Sequence, residues 1–130
     1  MSVIRSTAPP APAILIVEGD DAKRRGLSAA FRDQGFAVFD CADLGSAHFH
    51  IGMDGMPDIA LVQYDLRDGA GSDLCRELRA RGIPCLLMSA FPTWARETVH
   101  PPPDWILEPV EMSVAVAAVR RRLGTTSCRP

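Results

Sequence analysis

Lysine is nearly missing from this chain: of 14 basic residues among 130, Lys23 is the single lysine and the rest are arginine. Long apolar runs are missing too. No stretch approaches the roughly 18 consecutive apolar residues of a membrane-spanning helix. Residues 1–13 hold neither a hydrophobic signal core nor an anchor, so a cytoplasmic protein without membrane attachment is expected. Charge of one sign is not in excess either. A formal net charge of -2 gives no electrostatic case for tracking a phosphate backbone, so nucleic acid is not the expected partner. Aromatic residues are scarce; Trp94 and Trp105 are the only tryptophans, and Trp105 reads as a buried strand residue or as an anchor in a partner surface. The four cysteines, Cys41, Cys75, Cys85 and Cys128, show neither CxxC nor zinc-ligand spacing, and three lie among apolar neighbours. They are expected to be small core thiols.

What is present describes one globular domain. Hydrophobic residues are 47% and charged residues 23%, which excludes a disordered or collagen-like chain, and the length suits a single core. Residues 1–12, with their STAPPAP stretch, are expected to be a flexible lead-in, 13–124 the domain and 125–130 a tail. Short apolar runs of β type cover Ile14 to Val17, Phe36 to Phe39, Ile59 to Tyr64, Cys85 to Ser89 and Trp105 to Leu107. Between them, helical patterns run from about Asp21 to Gln34 closed by Gly35, Leu44 to Met53, and Ser72 to Arg81 closed by Gly82. A last helix from about Met112 to Leu123 places Met112, Val116, Val119 and Leu123 on one face. Such alternation specifies parallel βαβ units, and consecutive apolar residues in ILIV and IALV suit strands covered on both faces. The fold class is therefore α/β. Pro101, Pro102 and Pro103 leave room only for a short helix between the fourth and fifth strands.

Ligand chemistry in an open parallel sheet gathers beyond the carboxyl ends of the strands. Those ends carry Glu18, Gly19, Asp20 and Asp21 after the first strand, Gln63, Tyr64 and Asp65 after the third, Ser89 and Ala90 after the fourth, and Glu108 and Pro109 after the fifth. From Ile14 to Leu123 the chain resembles the receiver domain of bacterial two-component response regulators. ILIVEGDDAKRRGL is similar to the family's first strand and helix, PDIALVQYDLRDGAG to the segment carrying the phosphoacceptor, and GIPCLLMSA to the fourth strand with its hydroxyl residue. EP in WILEPV sits where the family has lysine and proline. PCLLMSAF is also loosely similar to short, stand-alone receivers with a reduced fourth helix. The resemblance implies a doubly wound sheet of five parallel strands in the order 2-1-3-4-5.

It also implies chemistry that these residues depart from. A receiver's aspartate takes a phosphoryl group whose charge is neutralised by magnesium and a lysine. Here the acceptor position is Gln63, an amide that cannot form an acyl phosphate; one of the paired acids is Gly19; and the lysine position is Glu108, which repels a phosphoryl group. Lys23 is placed on the first helix, so no lysine is expected to take over the role. Ser89 keeps the family's hydroxyl, and Trp105 occupies the aromatic switch position. The expectation is a degenerate, stand-alone receiver that is not an enzyme, takes no phosphoryl group, and binds magnesium weakly or not at all.

Three alternatives accompany that reading. Asp65 or Asp68 would be a substitute acceptor, making the chain a phosphotransfer partner of a histidine kinase. Glu18, Asp20 and Glu108 would form a weak divalent-cation site. A small-ligand binder of the flavodoxin manner lacks its glycine-rich phosphate loop. His48 and His50 read as surface residues rather than metal ligands. The arginines 120, 121 and 122 read as cations favoured by the last turn of a helix. The Gln63 amide nitrogen is expected to hydrogen-bond Glu108 or Ser89. Output is expected through contact with a histidine kinase, another regulator or a second copy of the chain, with Trp105 or Val110 central and Arg120, Arg121 and Arg122 at the rim.

Overall fold

The computed structural model describes residues 10–89, 105–109 and 111–127. In chain order these form β1 (Ala13–Val17), α1 (Asp21–Asp33), β2 (Ala37–Cys41), α2 (Leu44–Asp54), β3 (Ile59–Gln63), the two-residue strands β4 (Asp65–Leu66) and β5 (Gly69–Ala70), α3 (Gly71–Ala80), β6 (Cys85–Ser89), β7 (Trp105–Leu107) and α4 (Met112–Ser127). Five strands make one parallel sheet in the order β2-β1-β3-β6-β7, which is the expected 2-1-3-4-5 once the small antiparallel β4-β5 ladder is set aside.

The apolar runs behave as two-sided strands must. Residues 14–17 of β1, 59–62 of β3 and all of β6 are buried, while β2, at the edge, alternates exposed and half-buried positions before ending in buried Cys41. Their side chains divide between two layers. One joins Ile14, Ile16, Ile59, Leu61 and Met88 to Leu27, Phe31, Ala115 and Val119 beneath α1 and α4; the other joins Leu15, Val17, Val62 and Leu87 to Ala47, Leu74 and Leu78 beneath α2 and α3. Gly35 and Gly82, at φ 90° and 82°, occupy the left-handed region that ends α1 and α3 and frees the chain to re-enter the sheet.

Several expectations change. The last helix continues to Ser127, so Arg120, Arg121 and Arg122 lie in its middle rather than its last turn, and the dipole argument for them lapses. Its buried stripe centres on Ala115 and Val119; Met112 is exposed in the first turn. The paired strands β4 and β5 have no signal in the apolar pattern because two residues each are too few to show a period. Cys75 and Cys85 are not separate thiols but a disulfide, with Cα atoms 5.3 Å apart. Their separation of 10 residues carries no recognisable motif, and only the return of the chain from α3 into β6 brings them together. Cys41 is a free thiol, buried against the Ile16 carbonyl. The shortened helix inferred from Pro101, Pro102 and Pro103, together with Trp94, Val110 and Cys128, lies outside the described residues.

Candidate functional site

Glu18 is the first residue past β1 and is fully buried. Its Oε2 accepts from the Asp20 backbone N–H at 3.0 Å, and its Oε1 lies 3.5 Å from Lys23 Nζ. Lys23 stands in the first turn of α1. Side chains of a helix lean toward its N-terminus, so this one reaches back over the strand ends, where its ammonium also pairs with Glu108. Glu108 is held at the end of β7 by its N–H donating to the Ser89 carbonyl at 2.8 Å, and is itself buried. Lys23, placed from the sequence on the first helix, thus enters the pocket as the partner of two carboxylates: spacing along the chain could not show that its side chain points to the sheet.

The electrostatics follow from burial. Desolvation raises the Glu18 pKa, opposed by the Asp20 N–H and the Lys23 charge. Burial works against the Lys23 ammonium, yet the hydrogen bond to Glu108 and the charges of Glu18 and Glu108 outweigh it, and its pKa is raised. One cation therefore serves two carboxylates that would otherwise repel each other inside the protein.

Gln63 closes β3 beside this triad. Its Oε1 accepts from the Gly19 N–H at 3.1 Å, so the amide is oriented by the β1 loop rather than by Glu108 or Ser89, contrary to expectation; Glu108 is committed to Lys23. Gly19 is not demanded by space. A Cβ there would meet Gln63 Oε1 at 3.5 Å and the Ala42 carbonyl at 3.7 Å, both ordinary contacts. What position 19 lacks is charge. Gly71 is different: as the first residue of α3 it lies so close to β3 that a Cβ would fall 2.1 Å from the Gln63 carbonyl oxygen. Ser89 is buried at the end of β6, beside Leu107 in the register.

The residues present do not fit a magnesium ion. Glu18 and Glu108 are already engaged by an ammonium, the Asp20 carboxylate turns away to cap α1 at the Ala22 N–H, and Gln63 presents a neutral oxygen committed to Gly19. Among the described residues no group of three or more His, Cys, Asp or Glu side chains is arranged to hold a metal. The divalent-cation alternative at Glu18, Asp20 and Glu108 gains no support from this arrangement.

Asp65 is exposed on the β4-β5 ladder opposite Ala70. Asp68 accepts from the backbone N–H groups of Leu44 and Gly45, each at 2.9 Å, and these bonds lower its pKa. Asp43 caps the same helix by accepting from the Ser46 N–H at 2.8 Å and is gripped by the Arg67 guanidinium. The loop after Gln63 is thereby clasped to the start of α2. Reading the sequence missed this clasp, although an Asp before a helical pattern is a capping signal.

Of the switch and interaction residues, Trp105 packs against Tyr64 with the rings tilted at 41° and centroids 5.2 Å apart. Arg121 joins Trp105, Pro109, Val114 and Ala117 around an open cavity of about 750 Å³. Arg120 points elsewhere: it donates to the Gln34 carbonyl at 3.1 Å and amide oxygen at 2.8 Å and lies over the Phe36 ring, tying α4 to the end of α1. Arg122 is half-buried. His48 and His50 face Glu77 and Asp54 on the outside of α2.

No protein-family model matches the chain. It is 32% identical over 115 residues to the probable transcriptional regulatory protein SilR of Salmonella typhimurium, a match covering 85% of this chain and 50% of the relative. Identity to the transcriptional regulatory protein CusR of Escherichia coli K12 is 30% over the same length, again 85% of this chain and 50% of the other. The chain spans about half the length of these curated relatives. Among solved structures, a CheY-like response regulator receiver domain protein from Methanospirillum hungatei JF-1 superposes with a TM-score of 0.79 at 19% identity, covering 90% of this chain and 97% of that one. The signal receiver domain of a histidine kinase from Syntrophus aciditrophicus gives 0.78 at 22%, covering 92% and 96%. Strand order, the placement of Gln63, Ser89 and Glu108 at the strand ends, and these matches agree in supporting a response regulator receiver domain.

Proposed function

We propose that this receiver works in intracellular two-component signalling without phosphoryl transfer, as a protein-interaction module with no catalytic activity of its own. The observation that carries the proposal is the Lys23 ammonium paired with buried Glu18 and Glu108 beside the amide Gln63. A phosphoryl group arriving there would find no carboxylate at the acceptor position, no free lysine, and two carboxylates adding to its own charge. The triad instead supplies a neutralising cation from within, so the pocket is held in one state by the protein's own side chains.

The partner would be a histidine kinase, another regulator or a second copy of the chain. The surface around Trp105, Pro109, Val114 and Arg121 suits such contact, since it combines an aromatic anchor, small apolar residues and a peripheral cation. Incubation with a small phosphodonor and magnesium is expected to leave the protein mass unchanged. An added phosphoryl mass that disappears in Asp65→Asn would replace this reading with that of a receiver using a substitute acceptor.

A further inference from the structure

The Cys75–Cys85 disulfide ties the middle of α3 to the first residue of β6, and both residues are fully buried. The bond adds to the packing that already holds α3. This helix is 10 residues long and starts without a side-chain cap; helices of that length are marginal alone, so tertiary contacts must keep it in place. Those contacts include Leu74 and Leu78 against the sheet, Gly71 close against Gln63, the Glu77 pair with His48 of α2, and the Arg79 guanidinium, which donates to the Cys85 carbonyl at 2.6 Å. The strand so tethered carries Ser89 at its other end and pairs Leu87 with Trp105, the residue that packs against Tyr64. A bond at this point connects α3 to the strand whose far end lies in the pocket.

Nothing in the core requires a permanent staple here. Disulfide-dense domains are small ones that lack a sufficient core, whereas this chain has two apolar layers and a bond between elements that already touch. In a reducing compartment such bonds are transient or sensing; this step rests on the intracellular setting proposed above. Cys41 does not compete for exchange, being buried with its thiol pushed up to about 12.

We propose that Cys75 and Cys85 form a reversible redox modification site whose co-substrate is a dithiol, and that cutting the bond loosens α3 from β6. The thiolate of the dithiol attacks one protein sulfur, the Cys75–Cys85 bond breaks, and a mixed disulfide forms. The second thiol of the reductant then displaces the remaining protein thiolate. Two electrons and two protons pass to the protein, which ends with two thiols, and the reductant leaves as a disulfide. Because both sulfurs are buried, attack requires α3 to open first, so the reduction rate levels off as dithiol concentration rises.

The test uses the full chain in dithiothreitol buffers running from oxidised to reduced, with thiols trapped by alkylation and Cys75 and Cys85 mapped by mass spectrometry. Both forms should be populated within the range of a bacterial cytoplasm, and the bond should re-form on oxidation. Amides 71–80 should exchange about tenfold faster or more in the reduced protein, with β1 and β3 changing less. A Cys75→Ser/Cys85→Ser variant should show the reduced pattern in every buffer; if it does not fold, the wild-type titration alone decides. A bond that survives excess reduced dithiothreitol in the native state, or α3 amides that exchange equally in both forms, overturns the proposal. Neither result depends on whether the protein takes a phosphoryl group, so failure here is distinct from failure of the proposed function.

Discussion

Lys23 and Glu108, from opposite ends of the chain, form an ion pair in which the receiver's usual polarity is exchanged: the anion sits at the end of β7 and the cation arrives from α1. Glu18 makes this a triad with two carboxylates on one ammonium. Removing one partner of such a group leaves charge buried without compensation, which costs more than the group contributes when intact.

Lys23→Met should therefore destabilise the protein by about 2 kcal/mol at pH 7, less than for a fully enclosed pair because the lysine side chain is 40% exposed. The deficit should shrink in acid. Burial holds the Glu18 pKa above its ordinary 4.5, so its contribution to folding improves with protonation and worsens as pH rises through the raised value. A double variant with Glu108→Gln should recover most of the loss in urea unfolding. Equal stability of Lys23→Met and wild type at pH 7 would show that the triad holds nothing in place.

Much of the architecture could be read beforehand because its signals are local. Residues 14–17 and 59–62 are apolar in unbroken runs, and Gly35 and Gly82 stop helices where a left-handed residue is needed. The site positions were equally legible, since strand ends place Glu18, Gln63, Ser89 and Glu108 at one pole. Which side chains would meet was not. Lys23 reaches Glu108 only because a helical side chain leans backward over the sheet, and Cys75 meets Cys85 only because α3 packs on β6. Arg120 looked like part of an output surface until the path of α4 beside α1 took it to Gln34.

Gly71→Ala should cost about 3 kcal/mol, because the new methyl would overlap the Gln63 carbonyl and push against Val62 Cγ1 at 2.7 Å, with backbone that cannot yield cheaply. Gly19→Ala, with contacts no closer than 3.5 Å, should be nearly neutral. Thermal unfolding of the two variants side by side checks the contrast.

The Asp43 clasp predicts an acid limb. Hydrogen bonds from Ser46 and then Arg67 hold its carboxyl down to about 2, below the ordinary 3.8. Its stabilising contribution is full above about pH 4 and is lost as pH falls toward 2. Asp43→Asn should flatten the fall in urea midpoint across that window while leaving the slope near neutrality unchanged. An unchanged acid limb would remove the clasp from the account.

Rebuilding the missing chemistry should need several changes at once. Gln63→Asp restores a nucleophile but sets it beside Glu18 and Glu108, so alone it should remain unphosphorylated by a small phosphodonor with magnesium. Adding Gly19→Asp and Glu108→Lys supplies the second acid and the cation, and phosphoryl mass should then appear. A Cβ at position 19 meets only ordinary contacts, so the first of these does not clash at its root. Phosphorylation of the Gln63→Asp single variant would mean that Glu108 is no barrier.

The output surface can be tested by contrast between two faces. Trp105 is partly exposed, packs against Tyr64, and borders the cavity that Pro109, Val114, Ala117 and Arg121 line. A partner aromatic or aliphatic group seated there would be desolvated against Trp105, and truncating an anchor of this kind costs about 2 kcal/mol of binding, or roughly thirtyfold in affinity. Arg121→Ala, at the rim, should cost less and mainly slow association. Arg120→Ala should have little effect on binding, because its guanidinium is engaged with Gln34 on the α1 side, but should loosen the α1–α4 packing. Arg76 is the control: it lies exposed on α3, paired with Asp73 at 3.0 Å. Once a binding partner or self-association is found, titrations with folded Trp105→Ala, Arg121→Ala and Arg76→Ala decide the matter. Loss of binding that follows Arg76 and spares both Trp105 and Arg121 would move the output surface to the α3 face.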